Sequence, residues 1–347
     1  MVRRPFIRLL VVVVAAVFAA MLFLTTPLRG LVNSRYSEWQ KRPRFVNACN
    51  HPATSAVQAY REKLPHVPRR TFMRDFGTPT CEWSLPYTDA PSSVLLGVVT
   101  SVSKFSKRKL IRNTYARDAR DSTRVVFVVG KQNWESEMGQ ALAAESRMYG
   151  DIMELDIEEN GDLGKTHAFY LAVNKVFWAC RFTYVAKVDD DVWFHLPHLE
   201  ARLDKLVDHA VTEGVYYGAL LSWQPNFHYM AGMITALSWN IVEWITKDPF
   251  SEHNAWGPED VKTGEWVQRF GQQRAEALGN SKHPFHTNPV TCPSGKGYPH
   301  YECEPRESLW DGDEGRLTQF KPDTVVGLHR MKNDTLFCEA DALLGPR

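Results

Sequence analysis

The chain has 347 residues, 44% of them hydrophobic and 23% charged, a balance that buries a large core and excludes a disordered polymer. Its 41 Lys and Arg against 40 Asp and Glu leave a net charge of +1, so no overall field draws it to nucleic acid or an anionic membrane surface. Charge-driven chemistry must therefore be local, and no nucleic-acid partner is expected.

Leu9 to Leu24 carries no charged or strongly polar side chain, and Thr25 to Leu28 extends it. The uncharged stretch 9–28 is long enough to cross a hydrocarbon core of about 30 Å at about 1.5 Å per helical residue. Arg3, Arg4 and Arg8 precede it and only Arg29 follows closely. That asymmetry leaves residues 1–8 cytosolic and everything after the span lumenal, a single-pass type II signal anchor. A cleaved signal peptide is the competing reading, and either one exports the rest of the chain. The six cysteines, Cys49, Cys81, Cys180, Cys292, Cys303 and Cys338, all follow this segment, as suits an oxidising lumen. Cys292 and Cys303 are expected to pair, because Gly295, Gly297 and two prolines let the short loop between them bend back. Asn333-Asp334-Thr335 is an N-glycosylation sequon.

Residues 29–91 are rich in Pro, Arg and polar side chains without a sustained period, and read as a stem. From residue 92 the text becomes α/β. Val94–Thr100, Thr123–Val129, Asp151–Leu155 and Phe182–Val188 are strand runs. Asn133–Met148 and Lys165–Cys180 lie between them with helical spacing; in the second, Phe169, Ala172, Val173, Val176 and Phe177 share one face. Alternating strands and helices predict a mostly parallel sheet whose ligand crevice lies beyond the carboxyl ends of the strands. The catalytic domain is expected over 92–335, with 336–347 as a C-terminal tail.

Asp189, Asp190 and Asp191 stand at such a strand end, between two apolar runs. Three adjacent carboxylates raise one another's pKa unless a cation or solvent offsets the repulsion. A hard divalent ion does so, taking one or two carboxylates together with substrate phosphates. A surface turn or helix cap is the bland alternative. Arg108 and Arg112, near the first strand, suit a diphosphate through charge-assisted hydrogen bonds, or else line a solvated helix face. Lys187 either contacts the nucleotide or neutralises the triplet. Trp256-Gly257-Pro258-Glu259-Asp260-Val261 reads as a turn opening a helix, with Pro and acids where a helix start favours them.

Five blocks in this order resemble the β-1,3-galactosyltransferase-like glycosyltransferases, glycosyltransferase family 31. Lys109 to Tyr115 is similar to that family's IRxTW, with Tyr115 in place of Trp, and Val126 to Gly130 to its vFvlG. Glu145 with Tyr149 to Ile152 resembles its E…YgDi, Lys187 to Asp191 its KxDDD, and Glu259 to Gly264 its EDVxxG. The family's NLTxK segment is reduced to Asp162-Leu163-Gly164-Lys165-Thr166, and Trp223 to Gly232 matches only loosely.

The resemblance, which covers about 94–332, implies a Rossmann-like nucleotide-sugar domain of GT-A type and an inverting transfer from a UDP-sugar in the Golgi lumen. It implies Mn²⁺ or Mg²⁺ held by Asp191, His329 and Asp189, nucleotide contacts from Arg108, Arg112, Lys187, Asp189 and Asp190, and Asp260 as base with Glu259 beside it. It further implies galactose as donor sugar, a β-1,3 linkage, and an acceptor glycan on a glycoprotein or glycolipid. N-acetylglucosamine transfer, and an inactive lumenal glycan-binding or chaperone-like protein of the same fold, are the alternatives.

Overall fold

The computed structural model of the protein describes residues 92–177, 181–224, 227–279, 298–305, 308–311, 317 and 320–346. The chain divides into two compact units, Met1–Asn50 and His51–Arg347, and every described residue lies in the second. The expected span at 9–28, the stem at 29–91, and Cys49, Cys81, Cys180 and Cys292 lie outside the described residues. Among the described residues no helix is long and apolar enough to cross a membrane.

The four apolar runs become β1 (Val94–Val99), β2 (Thr123–Lys131), β3 (Ile152–Glu158) and β4 (Tyr184–Asp189). They pair parallel in the order β3-β2-β1-β4. Strands covered on both faces need continuous apolar text, and Val94, Leu95, Leu96 and Val98 of β1 are all buried. Between them run α1 (Phe105–Asn113), α2 (Glu137–Tyr149) and α3 (Lys165–Phe177). Helix α2 starts where Ser136 accepts the Gly139 amide and stops at Gly150, whose φ of 67° closes the last turn. The aromatic and branched face of α3, with Phe169, Val173 and Phe177, enters the same core as Leu95, Val128 and Val185.

The sheet then changes character. After β5 (Trp193–Phe194), α4 (Leu196–Asp204) and α5 (Val207–Thr212), the chain forms β6 (Val215–Gln224) and β7 (Phe227–Ser238). β7 pairs antiparallel with both β4 and β6. Helices α6 (Trp239–Ile245), α7 (Pro249–His253) and α8 (Glu259–Ala277) follow, with α8 packed on β7. β8 (His300–Cys303) completes a seven-stranded sheet ordered β3-β2-β1-β4-β7-β6-β8. β9 (Leu309–Asp311) and β10 (Gly327–His329) join β5 in a small second sheet. The expected mostly parallel α/β sheet is present, with one antiparallel strand, β7, inserted between β4 and β6.

The C-terminal segment is not the tail the sequence suggested. Residues 336–347 belong largely to α9 (Asp334–Leu344), which buries Phe337, Ala340 and Leu344 and sends Asp341 to Arg117 at 2.8 Å. That three-four-residue apolar spacing was available in the sequence. Exposed Asn333 caps this helix, its side chain accepting the Thr335 amide at 2.9 Å. Cys303 and Cys338 are the described cysteines, and neither is free.

Candidate metal and nucleotide-sugar site

Strand order reverses between β1, whose successor β2 lies on one side, and β4 on the other. In an open parallel sheet such a reversal leaves a crevice at the carboxyl ends of the two strands. Thr100 follows β1 there, and the Asp189-Asp190-Asp191 triplet ends β4, with Val99 and Asp189 in register.

The three carboxylates go three ways. Asp190 is buried, takes the Thr100 hydroxyl at 2.7 Å and the Lys104 ammonium at 2.9 Å, and so ties the two strand ends together. Its two oxygens are thereby used. The expected nucleotide contact from Asp190 gives way to a bracing role, while half-exposed Lys104, which the sequence reading passed over, presents a cation at the crevice.

Asp189 shares an oxygen with the Lys187 ammonium at 2.8 Å. That ammonium, 2% exposed, also donates to the Gly232 carbonyl at 3.1 Å and to Glu259 at the start of α8. Burial opposes its charge, but Asp189 and Glu259 outweigh the penalty and hold its pKa above the ordinary lysine value. Lys187 thus neutralises the triplet's first member, the second of the two roles expected. Burial raises the Glu259 pKa, an effect that Lys187 partly offsets. Gly232 leaves room for this approach: a Cβ there would stand 2.9 Å from a Glu259 oxygen and 3.5 Å from Asp189 Oδ2. No motif flagged Gly232, since its reason lies in two side chains from other elements.

Asp191 meets His329 of β10, Nε2 to Oδ1 at 3.4 Å. Burial would raise the Asp191 pKa, but His329, Lys332 and Lys104 together hold it below the usual carboxylate value. The strand carrying His329 is locked to the triplet immediately afterwards: Arg330 adopts φ 60°, and the Met331 amide donates to the Asp191 carbonyl at 2.7 Å. Asp189, Asp191 and His329 each offer one ligand atom, and these atoms lie within 4.8 Å of one another. Two carboxylate oxygens and an imidazole nitrogen fit a divalent cation that completes its shell with phosphate oxygens or water.

Asp260 is half-buried on the first turn of α8 and makes no ion pair among the described residues. It lies near enough to Tyr229 for its charge to add to the burial that raises that phenol's pKa.

The two arginines are paired within the protein. Arg108, 1% exposed, grips Glu145 through Nε at 2.9 Å and Nη2 at 2.6 Å, and donates to the Ser101 and Val102 carbonyls at 2.6 and 3.1 Å. Arg112 makes a forked pair with Asp151 at 2.7 and 2.8 Å. Its Nη1 lies 2.8 Å from Glu145 but off the hydrogen-bond direction, and its plane sits over Tyr149, 4.0 Å from the ring centre. Burial opposes the Arg112 charge; Asp151 and Glu145 outweigh it and raise its pKa. Both guanidinium groups are consumed internally, so they shape the loop after β1 by pinning α1 to α2 and β3. Lys165, the remnant of the reduced block, is likewise buried against the Thr100 carbonyl at 2.7 Å and against Glu159, and burial lowers its pKa.

Residues 106–227 match the galactosyltransferase family model, which bears out the family resemblance carried by the sequence blocks. Among curated proteins, hydroxyproline O-galactosyltransferase GALT2 of Arabidopsis thaliana is 24% identical over 221 residues, 54% of this chain and 30% of that protein. Beta-1,3-galactosyltransferase pvg3 of Schizosaccharomyces pombe is 23% identical over 234 residues, 51% of this chain and 60% of that protein. The chain therefore spans less than two thirds of either relative. Among solved structures, the mannosyltransferase PcManGT from Pyrobaculum calidifontis, in complex with GDP-Man and Mn2+, is 14% identical with a TM-score of 0.35, covering 64% of this chain and 59% of that one.

Proposed function

We propose, with the galactosyltransferase match over residues 106–227 as premise, that this chain is an inverting, divalent-metal-dependent hexosyltransferase of GT-A type. Its donor is a UDP-sugar, UDP-galactose first, and its product a β-1,3 bond on an acceptor glycan. The observation that carries this reading is the convergence of Asp189, Asp191 and His329 at the β1/β4 crevice, next to the acidic start of α8.

Asp189, Asp191 and His329 would hold Mn²⁺ or Mg²⁺, which supplies positive charge to the phosphates of the departing UDP. Lys187 fixes Asp189 and draws Glu259 back toward β4. Asp260, left without a cation partner among the described residues, takes the acceptor hydroxyl's proton as that oxygen attacks the anomeric carbon and the bond to UDP breaks. Lys104, held at the crevice by Asp190, faces the diphosphate.

The arginine asymmetry around residues 9–28 supports a type II anchor, and with it a Golgi membrane location with the catalytic unit in the lumen. Acceptors there are glycans of glycoproteins or glycolipids. N-acetylglucosamine as donor sugar is the nearest second reading, since the loose match of Trp223 to Gly232 leaves the donor sugar open.

The test is UDP release by the full-length chain from UDP-galactose, UDP-N-acetylglucosamine, UDP-N-acetylgalactosamine and UDP-glucose, with and without acceptor glycosides and with and without chelator. Release from one donor, abolished by chelation and restored by Mn²⁺, is expected. Release from none of them would leave a binding protein of the same fold, and release undiminished in chelator would remove the metal.

A further inference from the structure

The site above accounts for a donor and a proton acceptor, but nothing in it grips the apolar part of an acceptor. Trp256 is unassigned, and at 73% exposure it is the most open large apolar side chain among the described residues. Leu163, 57% exposed, lies directly opposite it in an isolated antiparallel bridge. Residues opposite one another in such a pair project to the same side, so the indole and the leucine form one apolar strip.

The strip is held in place. The Gly257 amide donates to the Asp162 carbonyl at 2.8 Å, and the Leu163 amide to the Asn160 side chain at 2.9 Å. On both strands the next residue is a glycine with positive φ, Gly164 at 94° and Gly257 at 124°, so each chain turns away just after presenting its apolar side chain. The indole lies along Gly164, whose Cβ, if it had one, would stand 3.7 Å from Trp256 Cδ1.

Both strands lead straight into the crevice. One continues to Lys165, whose ammonium bonds the Thr100 carbonyl; the other continues through Pro258 to Glu259 and Asp260. Trp256 and Asp260 are four positions apart in the chain, so their Cα atoms lie within about 15 Å of each other. An exposed tryptophan on a rigid rim, one short chain segment from the proton acceptor, suits a ligand that is apolar on one face and hydroxylated at its edge.

We propose that Trp256, with Leu163 beside it, is the acceptor platform: it stacks against the C–H face of an acceptor pyranose whose hydroxyl points to Asp260. The proposal rests on the glycosyltransferase reading for the role of Asp260, and its ligand class is a saccharide, not a peptide or lipid.

The test uses the full-length chain labelled with 5-fluorotryptophan, in which Trp256→Phe identifies one of the 11 tryptophan resonances in the ¹⁹F spectrum. Methyl β-galactoside, methyl β-N-acetylglucosaminide and methyl β-xyloside are titrated in turn, with glycerol as control. The Trp256 resonance should move saturably with at least one saccharide and not with glycerol. If no saccharide moves it, or if it responds only to protein concentration, the platform is refuted and the second outcome assigns the strip to self-association. In turnover, Trp256→Ala should raise the acceptor KM by about tenfold or more, with Trp256→Phe recovering most of the loss. An unchanged acceptor KM in Trp256→Ala overturns the proposal. Absence of UDP release in the wild type would sink the enzymatic reading, while the titration would still decide the platform.

Discussion

Glu145→Gln separates a bracing role of the two arginines from a nucleotide-binding one. The Glu145 side chain is 2% exposed and takes two hydrogen bonds from Arg108, with Arg112 Nη1 at 2.8 Å. The amide keeps the shape but removes the carboxylate paired with Arg108, whose other bonds among the described residues go to the Ser101 and Val102 carbonyls. Removing one partner of a buried ion pair costs about 3–5 kcal/mol because the other charge stays uncompensated. Arg112 keeps Asp151, which places the expected loss near the lower end. For a unit of this size each kcal/mol lowers Tm by about 2–4 °C, so Tm should fall by about 6–12 °C. Thermal melts give that number, and calorimetry of UDP with Mn²⁺ at low temperature, where the variant stays folded, should show little change in affinity. A variant with wild-type Tm but lost UDP affinity would refute the bracing role and return the arginines to the nucleotide.

Asp191→Ala and His329→Ala should each abolish Mn²⁺-dependent UDP binding by calorimetry with little change in Tm; retention of metal-dependent binding in both would dissolve the proposed ligand set. Asp260→Asn should cut kcat by about 10²- to 10⁴-fold at unchanged UDP-sugar affinity. Glu259→Gln, which weakens the Lys187 brace, should lower both, and the reverse pattern in saturating kinetics would exchange the two roles. Burial, assisted by His198, pushes the His195 pKa from 6.5 down to about 4. The unfolded chain therefore takes up a proton below 6.5 that the folded one refuses, so this contribution to stability is complete above 6.5 and is lost as pH falls toward about 4. His195→Asn keeps an acceptor for the His198 amide but cannot titrate, so its Tm should fall less than the wild type's across that window; parallel Tm curves would exclude His195.

The parallel half of the sheet was legible because strands buried on both faces must be written as unbroken apolar runs, and β1 to β4 are. Strands β6 and β7 escaped notice: their text mixes glycine, tryptophan and tyrosine, and their pairing is set by bulged contacts at Gly218 and Ser222 that no period reports. The triplet was recognised, but its division was not. Asp189 ends β4 while Asp190 and Asp191 lie in the turn that follows, so strand alternation alone does not assign their directions. Arg108 and Arg112 are a different case. A cation near a candidate phosphate site reads as a ligand contact, and their true counterions stand 37 and 39 residues away in the chain. Those counterions, Glu145 and Asp151, belong to a block that resembles the family's, so the two blocks explain each other as a structural clamp.

The same logic orders the two acids of α8. Successive helical residues point about 100° apart, so Glu259 and Asp260 cannot both face one atom, and sequence alone leaves their roles interchangeable. Lys187 breaks the tie. Its ammonium stands between Asp189 and Glu259, beneath Gly232, and binds β4, β7 and the first turn of α8 into one rigid corner. A carboxylate tied to a buried ammonium would have to give up that contact to turn toward the acceptor hydroxyl, although burial raises its pKa. Its neighbour, half-buried and without a cation partner among the described residues, carries no such penalty. The brace therefore does two things at once. It holds Asp189 for the ligand set it forms with Asp191 and His329, and it fixes the helix start so that Asp260 stands at a set distance from those carboxylates before any substrate arrives.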